Sequence, residues 1–444
     1  MSKGRISSRT RDCRHDRTPN RYARYHRSRA VSFASLNTLA DWERYIETLA
    51  PPSQIELGLD RVGQVWGSLT QVAPKQVITV AGTNGKGSTV EAAGVLAKAQ
   101  GLVYGQYTSP HIHTIKERIR VNGVQASGQE LVAAFELVES VRGSIFLTYF
   151  EFLTLAAFVI FEHRDLDLWI LEIGLGGRLD AVNIIDPSVS IITSIGLDHQ
   201  LFLGDNIESI AREKAGVMRK SKPTLTAATN VRAVLEAEAL VCKAQLVWLD
   251  SAVEDGKLNI FASGEQIDLS GMQLPRDAVG LACLAFRCLG YRLTKAIEVP
   301  LSRVNLPGRM SRYRASGRSW ILDVGHNPSA CKFVTNTLAQ SISEDRRVVV
   351  FGALADKNVD EMLLVLRAFT QRIVLVGISG DRGRHVESLE DSWYSLFAQT
   401  CWRSFATLDH ALEGLPSELN SDDQVLVIGS FILVADSLRH DLFN

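Results

Sequence analysis

The segment at residues 82–89, Gly-Thr-Asn-Gly-Lys-Gly-Ser-Thr, has the residue types that bind phosphate groups. Its glycines allow backbone N–H groups to turn inward around phosphate oxygens, and the helix that follows adds a partial positive charge. Lys86 is placed to reach the β- and γ-phosphates of a nucleotide, and Ser88 or Thr89 offers a hydroxyl towards Mg²⁺. The glycine spacing is shorter than in the generic P-loop, so a ligand-free turn is the alternative. Because strand, loop, lysine and helix start coincide, the pattern favours a phosphate site.

Two further polar clusters follow apolar runs that are typical of strands. Glu172 ends one run and precedes the glycine-rich residues 174–180, in which Leu179 stands where a dinucleotide fingerprint needs its third glycine. Asp198 and His199 follow the next run. Because open α/β sheets bind ligands at the carboxyl ends of their strands, we expect Glu172 to hold a metal on the phosphates. We also expect Asp198 to orient the His199 ring. The alternatives are a buried structural carboxylate and a structural histidine.

Three more clusters have weaker local signals. Residues 212–216, Arg-Glu-Lys-Ala-Gly, lie in a helical stretch and are typical of a solvated charged face. Residues 306–309 place Arg309 on a rigid Pro-Gly turn, which suits a phosphate clamp. Residues 323–328, Asp-Val-Gly-His-Asn-Pro, end a strand and predict a site that faces a cleft between domains.

Apolar runs that end at these clusters alternate with amphipathic stretches, which is the pattern of βαβ units in a parallel sheet covered by helices. We predict strands at 76–80, 166–173, 189–195, 320–324, 347–351, 372–376 and 424–428. Helices are predicted at 88–99, 129–141, 149–163, 207–218 and 277–289. A small antiparallel piece is expected at 256–275.

The pattern breaks at residues 300–307, and we place a domain boundary there. We predict a disordered basic arm at 1–33, an ATP-binding domain at 34–303 and a C-terminal domain at 304–444. The predicted fold class is α/β. A P-loop-containing parallel sheet forms the first domain, and a smaller Rossmann-like α/β domain follows it.

The composition is that of a globular protein. The 444 residues are 46% hydrophobic and 22% charged, with a formal net charge of −1, which excludes disordered and collagen-like chains. The longest apolar run, 153–161, is shorter than the roughly 18 residues that span a bilayer. Six cysteines without a C-x-x-C pair indicate neither a disulfide framework nor a zinc site, and they fit the reducing cytoplasm.

The charge is unevenly distributed along the chain. Residues 1–30 contain ten Lys and Arg against two acids, so this arm carries +8 and the remainder −9. The net charge of −9 on the rest of the chain argues against a general nucleic-acid-binding surface. The arm lacks the apolar region of a secretory signal. A transit peptide, a tail that touches RNA and translated sequence upstream of the true start are the alternatives to a dispensable arm, which we favour.

Together the motifs resemble those of the folylpolyglutamate synthase/dihydrofolate synthase family, which is related to the Mur ligases, and of its bifunctional bacterial members in particular. The resemblance runs from about residue 40 to the C-terminus. It rests on residues 82–89, 108–111, 117–119, 147–151, 172–183, 198–199, 212–216, 306–309 and 323–328. Residues 57–62 and 429–431 are similar to family segments near either end.

The resemblance implies catalytic roles for Lys86, Glu172, His199 and Lys214, with Lys214 carbamylated. It implies two Mg²⁺ ions held by Ser109, Glu172 and His199, and it admits K⁺. ATP contacts are implied for Thr83, Asn84, Gly85, Lys86, Gly87, Ser88, Asp277, Arg309, Asp323 and His326. The family usually has Asn where this chain has Asp277. The alternative role for Asp277 is the N-cap of the helix that follows it.

The resemblance also implies a pterin pocket formed by Ile55, Glu56, Leu57, Gly58, Leu147, Thr148, Tyr149, Phe150, Leu179, Asp180 and Ala181. The implied reaction is ATP-dependent addition of L-glutamate to dihydropteroate and to tetrahydrofolate or its polyglutamates, through an acyl phosphate. The alternatives are folylpolyglutamate synthase activity alone, and a P-loop ATPase or binding protein without ligase activity. We expect a cytoplasmic monomer whose partners are small molecules (ATP, L-glutamate, dihydropteroate and folates), without membrane or nucleic acid.

A chain shortened to begin at Ser32 should fold and turn over like the full chain, because the arm has few apolar residues with which to dock onto a core. Thermal melting and the ligation rate of the two chains check this expectation. Loss of solubility or of activity on shortening would show that the arm docks onto the protein or targets it.

Overall fold

A computed structural model describes residues 36–69, 72–260, 265–380 and 382–443. The predicted basic arm at 1–33 lies outside the described residues. Fifteen α-helices and seventeen strands run through these ranges. None of the helices described is both long and apolar enough to cross a bilayer.

The first sheet has eight strands in the order β4-β3-β2-β5-β1-β6-β7-β8. Its six strands from β2 to β8 along that order are parallel, and β3 and β4 extend one edge in antiparallel pairings. The strands are β1 Val77–Ala81, β2 Tyr104–Tyr107, β3 Ile119–Val121, β4 Val124–Gln125, β5 Leu168–Glu172, β6 Val189–Ile192, β7 Pro223–Thr226 and β8 Gln245–Trp248.

Helices cover both faces of this sheet. They are α1 Leu39–Leu49, α2 Asp60–Leu69, α3 Lys86–Ala99, α4 Gly128–Arg142, α5 Tyr149–His163, α6 Gln200–Leu203, α7 Ile207–Ala215, α8 Arg232–Cys242, α9 Arg276–Cys288 and α10 Glu298–Ser302. One face packs against a core that includes α1, α2, α4, α5, α7 and α8, and the other against α3 and α9. Most of α5 is buried around its whole circumference, as expected of a helix that is apolar on all sides.

A small antiparallel sheet, β9 Val253–Glu254, β10 Lys257–Ile260 and β11 Glu265–Asp268, follows the first sheet. It confirms the expected antiparallel piece but begins and ends earlier than the predicted 256–275. The sequence pattern missed β2, β3, β4, β7 and β8, because short strands of mixed composition lack a clear alternation.

The second sheet has six strands in the order β12-β13-β17-β14-β15-β16, with β12 antiparallel to β13 and the rest parallel. The strands are β12 Ser311–Ala315, β13 Arg318–Asp323, β14 Arg347–Phe351, β15 Ile373–Val376, β16 Arg403–Phe405 and β17 Gln424–Ile428. Its helices are α11 Pro328–Ala339, α12 Val359–Phe369, α13 Val386–Phe397, α14 Leu408–Gly414 and α15 Phe431–Arg439. They lie on both faces, with α11, α12 and α13 on one and α14 and α15 on the other.

The predicted α/β class is confirmed, and several elements begin and end where predicted. The helix at 149–163 and the strands at 347–351 and 424–428 match α5, β14 and β17. The two large sheets lie on either side of the predicted boundary, since the first ends at Trp248 and the second begins at Ser311. The division at residue 304 stays a prediction.

Candidate active site

The phosphate-binding loop joins β1 to α3 at the centre of the first sheet. Gly82 and Gly85 have φ angles of +145° and +86°, which favour glycine. A Cβ at Gly82 would lie 1.9 Å from Thr193 Oγ1, so no side chain fits there. Gly85 is the N-cap of α3 and supplies no side-chain cap. The N–H groups of the first turn of α3 are therefore suited to bind an anion.

Lys86 is the first residue of α3, and its side chain folds back over the loop. Its Nζ donates to the carbonyl oxygens of Gly82 at 3.1 Å and Thr83 at 3.2 Å. Burial lowers the pKa of Lys86, and the nearby Glu172 carboxylate opposes this effect. The ammonium is thus held at the loop, ready to exchange its bonds to carbonyls for bonds to phosphate oxygens.

Glu172 is the last residue of β5, which lies next to β1. Its side chain is buried, and Oε2 accepts a hydrogen bond from Ser109 N at 3.1 Å. A Cβ at Gly87 would lie 3.7 Å from the same oxygen, so the carboxylate faces the first turn of α3. Burial raises the pKa of Glu172, and the Lys86 charge lowers it.

His199 follows β6 and has a φ of +51°. Burial lowers its pKa to about 4, which leaves the imidazole neutral at pH 7 and able to bind a metal. The prediction that Asp198 orients the His199 ring is wrong. Asp198 Oδ1 is 4.0 Å from His199 Nε2 and instead accepts the backbone N–H of His199 at 2.9 Å.

Lys214 lies on the inner side of α7, and this corrects the interpretation of residues 212–216 as a solvated face. Its Nζ is buried and donates to the Gly82 carbonyl oxygen at 3.0 Å. Burial, together with the Lys86 charge, lowers the pKa of Lys214 to about 7. A large neutral fraction at physiological pH makes this amine nucleophilic. Only Arg212 of the segment is exposed to solvent.

Asp323 is the last residue of β13, and its buried carboxylate shapes the loops around it. It accepts hydrogen bonds from the backbone N–H groups of Met310 at 2.9 Å and Gly325 at 2.8 Å. Burial raises its pKa, and the Arg309 charge opposes this. Asp323 therefore fixes the turn that carries Arg309, whose guanidinium lies 5.4 Å from the centre of the Phe431 ring.

Residues from both domains line one cleft beside the phosphate-binding loop. Four adjacent parallel strands of the first sheet, β2, β5, β1 and β6, end there. The second domain faces them with Arg309, His326 and Phe431. The predicted residues that share this cleft are Thr83, Asn84, Gly85, Lys86, Gly87, Ser109, Glu172, His199, Lys214, Arg309 and His326.

A more apolar slot lies between α9 and α11 and begins at the phosphate-binding loop. Asp277 lines it together with Asn84, Gly85 and Ser88 from the loop side, and Ile195 and Phe333 form part of its walls. The alternative role of Asp277 as a helix N-cap is wrong, because α9 begins at Arg276 and its N-cap is Pro275. Asp277 stands in the first turn with its side chain facing the slot.

A third cavity opens from the phosphate cleft and contains most of the predicted pterin residues. Those lining it are Ile55, Glu56, Leu57, Thr148, Tyr149, Phe150, Leu179, Asp180 and Ala181. Gly58 and Leu147 do not line it. The Gly58 N–H donates to the Leu179 carbonyl oxygen at 3.2 Å, and Leu147 is buried in the core.

Two of these pocket residues also hold the local backbone. Thr148 is the N-cap of α5 in a capping box with Glu151, and Glu151 Oε1 pairs with Arg61 at 3.1 Å. Asp180 accepts N–H bonds from Leu175 at 2.8 Å and Val182 at 3.0 Å. Burial raises the pKa of Asp180 to about 7.

Sequence reasoning missed Lys357, and it included Asn327 in the cluster at 323–328 without giving it a role of its own. Asn327 Nδ2 donates to Asn84 Oδ1 at 3.0 Å and to Asp198 Oδ2 at 3.1 Å. Lys357 Nζ lies 2.9 Å from Asp198 Oδ1. Lys357 comes six residues after the end of β14, so a polar residue just beyond a parallel strand was the signal that could have found it.

The proposed magnesium ligands fit a metal that binds mainly to phosphates. Within the described ranges no group of three or more His, Cys, Asp and Glu side chains could hold a metal by itself. Mg²⁺ characteristically takes only one or two protein carboxylates and completes its shell with water and substrate phosphates. Glu172 and Ser109, which both line the cleft beside the loop, match that donor set, and imidazole is the less usual partner.

Comparisons with known proteins agree with this geometry. A family model described as Mur ligase, glutamate ligase domain, matches residues 308–431. Dihydrofolate synthase/folylpolyglutamate synthase of Escherichia coli strain K12 is 36% identical over 89% of this chain and 94% of its own. The solved structure of E. coli FolC in complex with DHPP and ADP has a TM-score of 0.82 at 34% identity, covering 91% of this chain and 97% of that chain.

A second solved structure, a bifunctional folylpolyglutamate synthase/dihydrofolate synthase with Mn, AMPPNP and L-glutamate bound, has a TM-score of 0.81 at 36% identity. It covers 91% of this chain and 98% of that chain. A phosphate-binding loop in one α/β domain, faced across a cleft by basic residues of a second, defines an ATP-dependent ligase of the Mur type. The chain belongs to the dihydrofolate synthase/folylpolyglutamate synthase family.

Asp277→Asn should lower the KM for ATP, by up to about tenfold, if an amide in the slot gains one hydrogen bond of about 0.5–1.5 kcal/mol. An ionised carboxylate can only accept, and it repels phosphates. Asn also gives up the favourable contact of an acid with the first turn of α9, at a cost of about 0.3–1 kcal/mol in unfolding free energy. Steady-state kinetics and thermal melting measure the two effects.

An unchanged KM would mean that Asp277 does not contact the nucleotide. A raised KM in the Asn variant would mean that the carboxylate itself binds part of the substrate or a cation.

Proposed function

We propose that this chain joins L-glutamate to dihydropteroate and to tetrahydrofolate or its polyglutamates, at the expense of ATP, and that the residues gathered in the cleft carry the reaction. The observation that supports this most is the convergence of the phosphate-binding loop, Glu172 and Arg309 on one cleft that opens directly into the aromatic cavity of Tyr149 and Phe150. Relatives of this architecture have been solved with ADP, AMPPNP, DHPP and L-glutamate bound.

The loop holds the triphosphate. The N–H groups at the start of α3 bind phosphate oxygens, and Lys86 and Arg309 approach the β- and γ-phosphates from the two domains. The slot beside Asp277 takes the base, because its apolar walls begin where the loop ends. Asp323 positions Arg309 indirectly, because its carboxylate accepts the backbone N–H of Met310 in the turn that carries Arg309.

Ser109, Glu172 and His199 would hold the two Mg²⁺ ions, which would supply positive charge to offset that of the transferred phosphoryl group. Lys214, whose neutral form is well populated, is the residue suited to carbamylation, which would convert a buried cation into an anion beside the phosphate cleft. The Gly82 carbonyl oxygen accepts from both Lys86 and Lys214. A carbamate would remove one of these two competing cations.

The third cavity binds the pteroate part of the substrate. A pterin is flat and aromatic, and Tyr149 and Phe150 offer it apolar surface. Arg118 lies 5.7 Å from the centre of the Tyr149 ring and donates to His111 Nδ1 at 2.9 Å. Arg118 and the exposed Arg382 line the same cavity and offer cations to the carboxylates of the folate tail and of the incoming glutamate.

The reaction has two steps. An oxygen of the substrate carboxylate attacks the γ-phosphorus of ATP, the bond to the β-phosphate oxygen breaks, and ADP leaves. The α-amine of L-glutamate then attacks the carbonyl carbon of the acyl phosphate. The amide forms, inorganic phosphate leaves, and the amine proton is released. Closed domains keep water from hydrolysing the acyl phosphate.

We further propose that the enzyme acts as a cytoplasmic monomer. The five cysteines in the described ranges are free: Cys242, Cys283, Cys288, Cys331 and Cys401. Reduced thiols fit the cytoplasm. The arrangement of the cleft requires no second copy of the chain, because the proposed ligands of ATP, metal and pteroate all come from one polypeptide.

ADP release should require ATP, L-glutamate and a pteroate substrate together, and it should proceed with both dihydropteroate and tetrahydrofolate. Lys86→Ala should lower it by about a hundredfold or more, because the γ-phosphate loses its cation in the loop. Lys98→Ala, an exposed lysine of the same helix, is the matched control and should retain activity. A coupled ADP assay measures all of these rates.

Activity with tetrahydrofolate but not with dihydropteroate would mean that the chain is a folylpolyglutamate synthase only. ADP release that ignores glutamate would indicate an ATPase. Wild-type turnover by Lys86→Ala in the same assay would mean that Lys86 and its loop do not bind the ATP phosphates.

Glu172→Gln and His199→Ala should each raise the Mg²⁺ concentration for half-maximal activity, by roughly tenfold or more, because each removes a proposed ligand. A Mg²⁺ titration of the initial rate measures the shift. Glu208→Gln, an exposed acid of α7, serves as the control. If neither substitution alters the Mg²⁺ concentration for half-maximal activity, Glu172 and His199 are structural residues at the strand ends.

A further inference from the structure

Asp198 of the first domain takes its side-chain partners from the second domain. Oδ1 lies 2.9 Å from Lys357 Nζ, and Oδ2 accepts from Asn327 Nδ2 at 3.1 Å. His326 Nε2 is 3.4 Å from Oδ2. The side chains of Asp198 and Lys357 are only 8% and 6% exposed. A carboxylate so thoroughly enclosed by groups of another domain loses its partners when the domains separate.

The same carboxylate is bonded to the backbone of the metal-binding loop. Its Oδ1 also accepts the N–H of His199 at 2.9 Å, and His199 is in the left-handed region with a φ of +51°. This conformation is costly for a residue other than glycine unless neighbouring groups hold it. The backbone conformation of His199 therefore depends on where the Asp198 carboxylate is held.

Asn327 extends the connection to the phosphate-binding loop. It is the N-cap of α11, where its Oδ1 accepts from Ala330 N at 2.9 Å. Its amide group reaches Asn84 of the loop at 3.0 Å as well as Asp198. Asn327 is buried. One side chain of the second domain thus contacts two loops that end neighbouring strands β1 and β6.

We infer that Asp198, Asn327 and Lys357 form a latch that couples closure of the two domains to the placement of His199 and the phosphate-binding loop. Asp198 is a positioning residue in this account and does not touch the reacting atoms. The inference rests on the proposed function, because it says how closure of the domains affects the proposed ligation. The geometry explains why a ligase that must exclude water would assemble its metal-binding loop only when the second domain has docked.

The structure offers a matched control for the latch. Asp356 precedes Lys357 and lies 3.5 Å from the same Nζ, but it belongs to the same domain as the lysine and is 41% exposed. Removing its charge perturbs the same ammonium group without touching a contact between domains. Asp198→Asn and Asp356→Asn are therefore the same chemical change. Only Asp198→Asn removes a contact between the two domains.

Small-angle X-ray scattering of the full chain with Mg²⁺ and AMPPNP measures closure without requiring activity. Asp198→Asn should give a larger radius of gyration than wild type and a kcat for ligation lower by about tenfold or more, since a charge-assisted bond in a desolvated setting is lost. Asp356→Asn should match wild type in both. Lys357→Arg, which keeps the charge, should stay closer to wild type than Lys357→Gln.

Thermal melting establishes that each variant folds. Should Asp198→Asn not fold, Asn327→Ala removes the partner from the opposite domain and should show the same larger radius and reduced kcat. A reduced kcat with an unchanged radius of gyration would overturn the latch, since Asp198 would then act locally on His199. Wild-type values of both quantities, or equal effects of Asp198→Asn and Asp356→Asn, would overturn it too. Failure of the proposed function would instead appear in the wild-type assay.

Discussion

The burial of opposite charges at the ends of neighbouring strands is the constraint on which this structure depends. Lys86, Glu172 and Lys214 lie in one cleft, and Asp180 is buried beside it. A buried charge is tolerated only where hydrogen bonds or opposite charges offset the loss of water. Backbone carbonyls of the loop and N–H groups of neighbouring turns supply these bonds. Lys86 and Lys214 both donate to the Gly82 carbonyl oxygen, so their two side chains meet at the start of the phosphate-binding loop.

The first sheet keeps these groups in place because its central strands are buried on both faces. All five residues of β1 and all five of β5 are buried. Helix α5 packs against them with aromatic residues, as in the contact of Phe158 with Trp169 at 5.6 Å between ring centres. Close packing of this kind resists small shifts. The strand ends, and hence Glu172 and the phosphate-binding loop, are held at fixed distances from one another.

The second domain completes the site rather than merely covering it. Its own sheet places Arg309 and His326 opposite the loop, with Asp323 fixing the backbone behind Arg309. The hydrogen bonds between the domains are concentrated around Asp198 and Asn84. Polar contacts between domains can be exchanged for water at low cost, whereas an apolar interface resists opening. Such an interface suits the proposed reaction, in which the domains close over the substrates.

The sequence by itself determined the local parts of this protein. Glycines and a lysine between a strand and a helix indicated the phosphate-binding loop, and the largely apolar stretch at 149–163 indicated α5, because both patterns act over a few neighbouring residues. The family resemblance, carried by the order of the motifs, is confirmed by the similarity of the whole chain to known members.

Only the tertiary structure decided which distant side chains meet. Lys214 belongs to a segment whose local pattern is that of a solvated face, and it is buried because α7 packs beneath the loop at Gly82. Asp198 finds partners 129 and 159 residues further along the chain. Asp277, predicted to contact ATP with a helix N-cap as the alternative, lies in the first turn of α9 and lines the slot. Strand order and domain docking bring such residues together, and neither is encoded in the spacing of neighbouring residues.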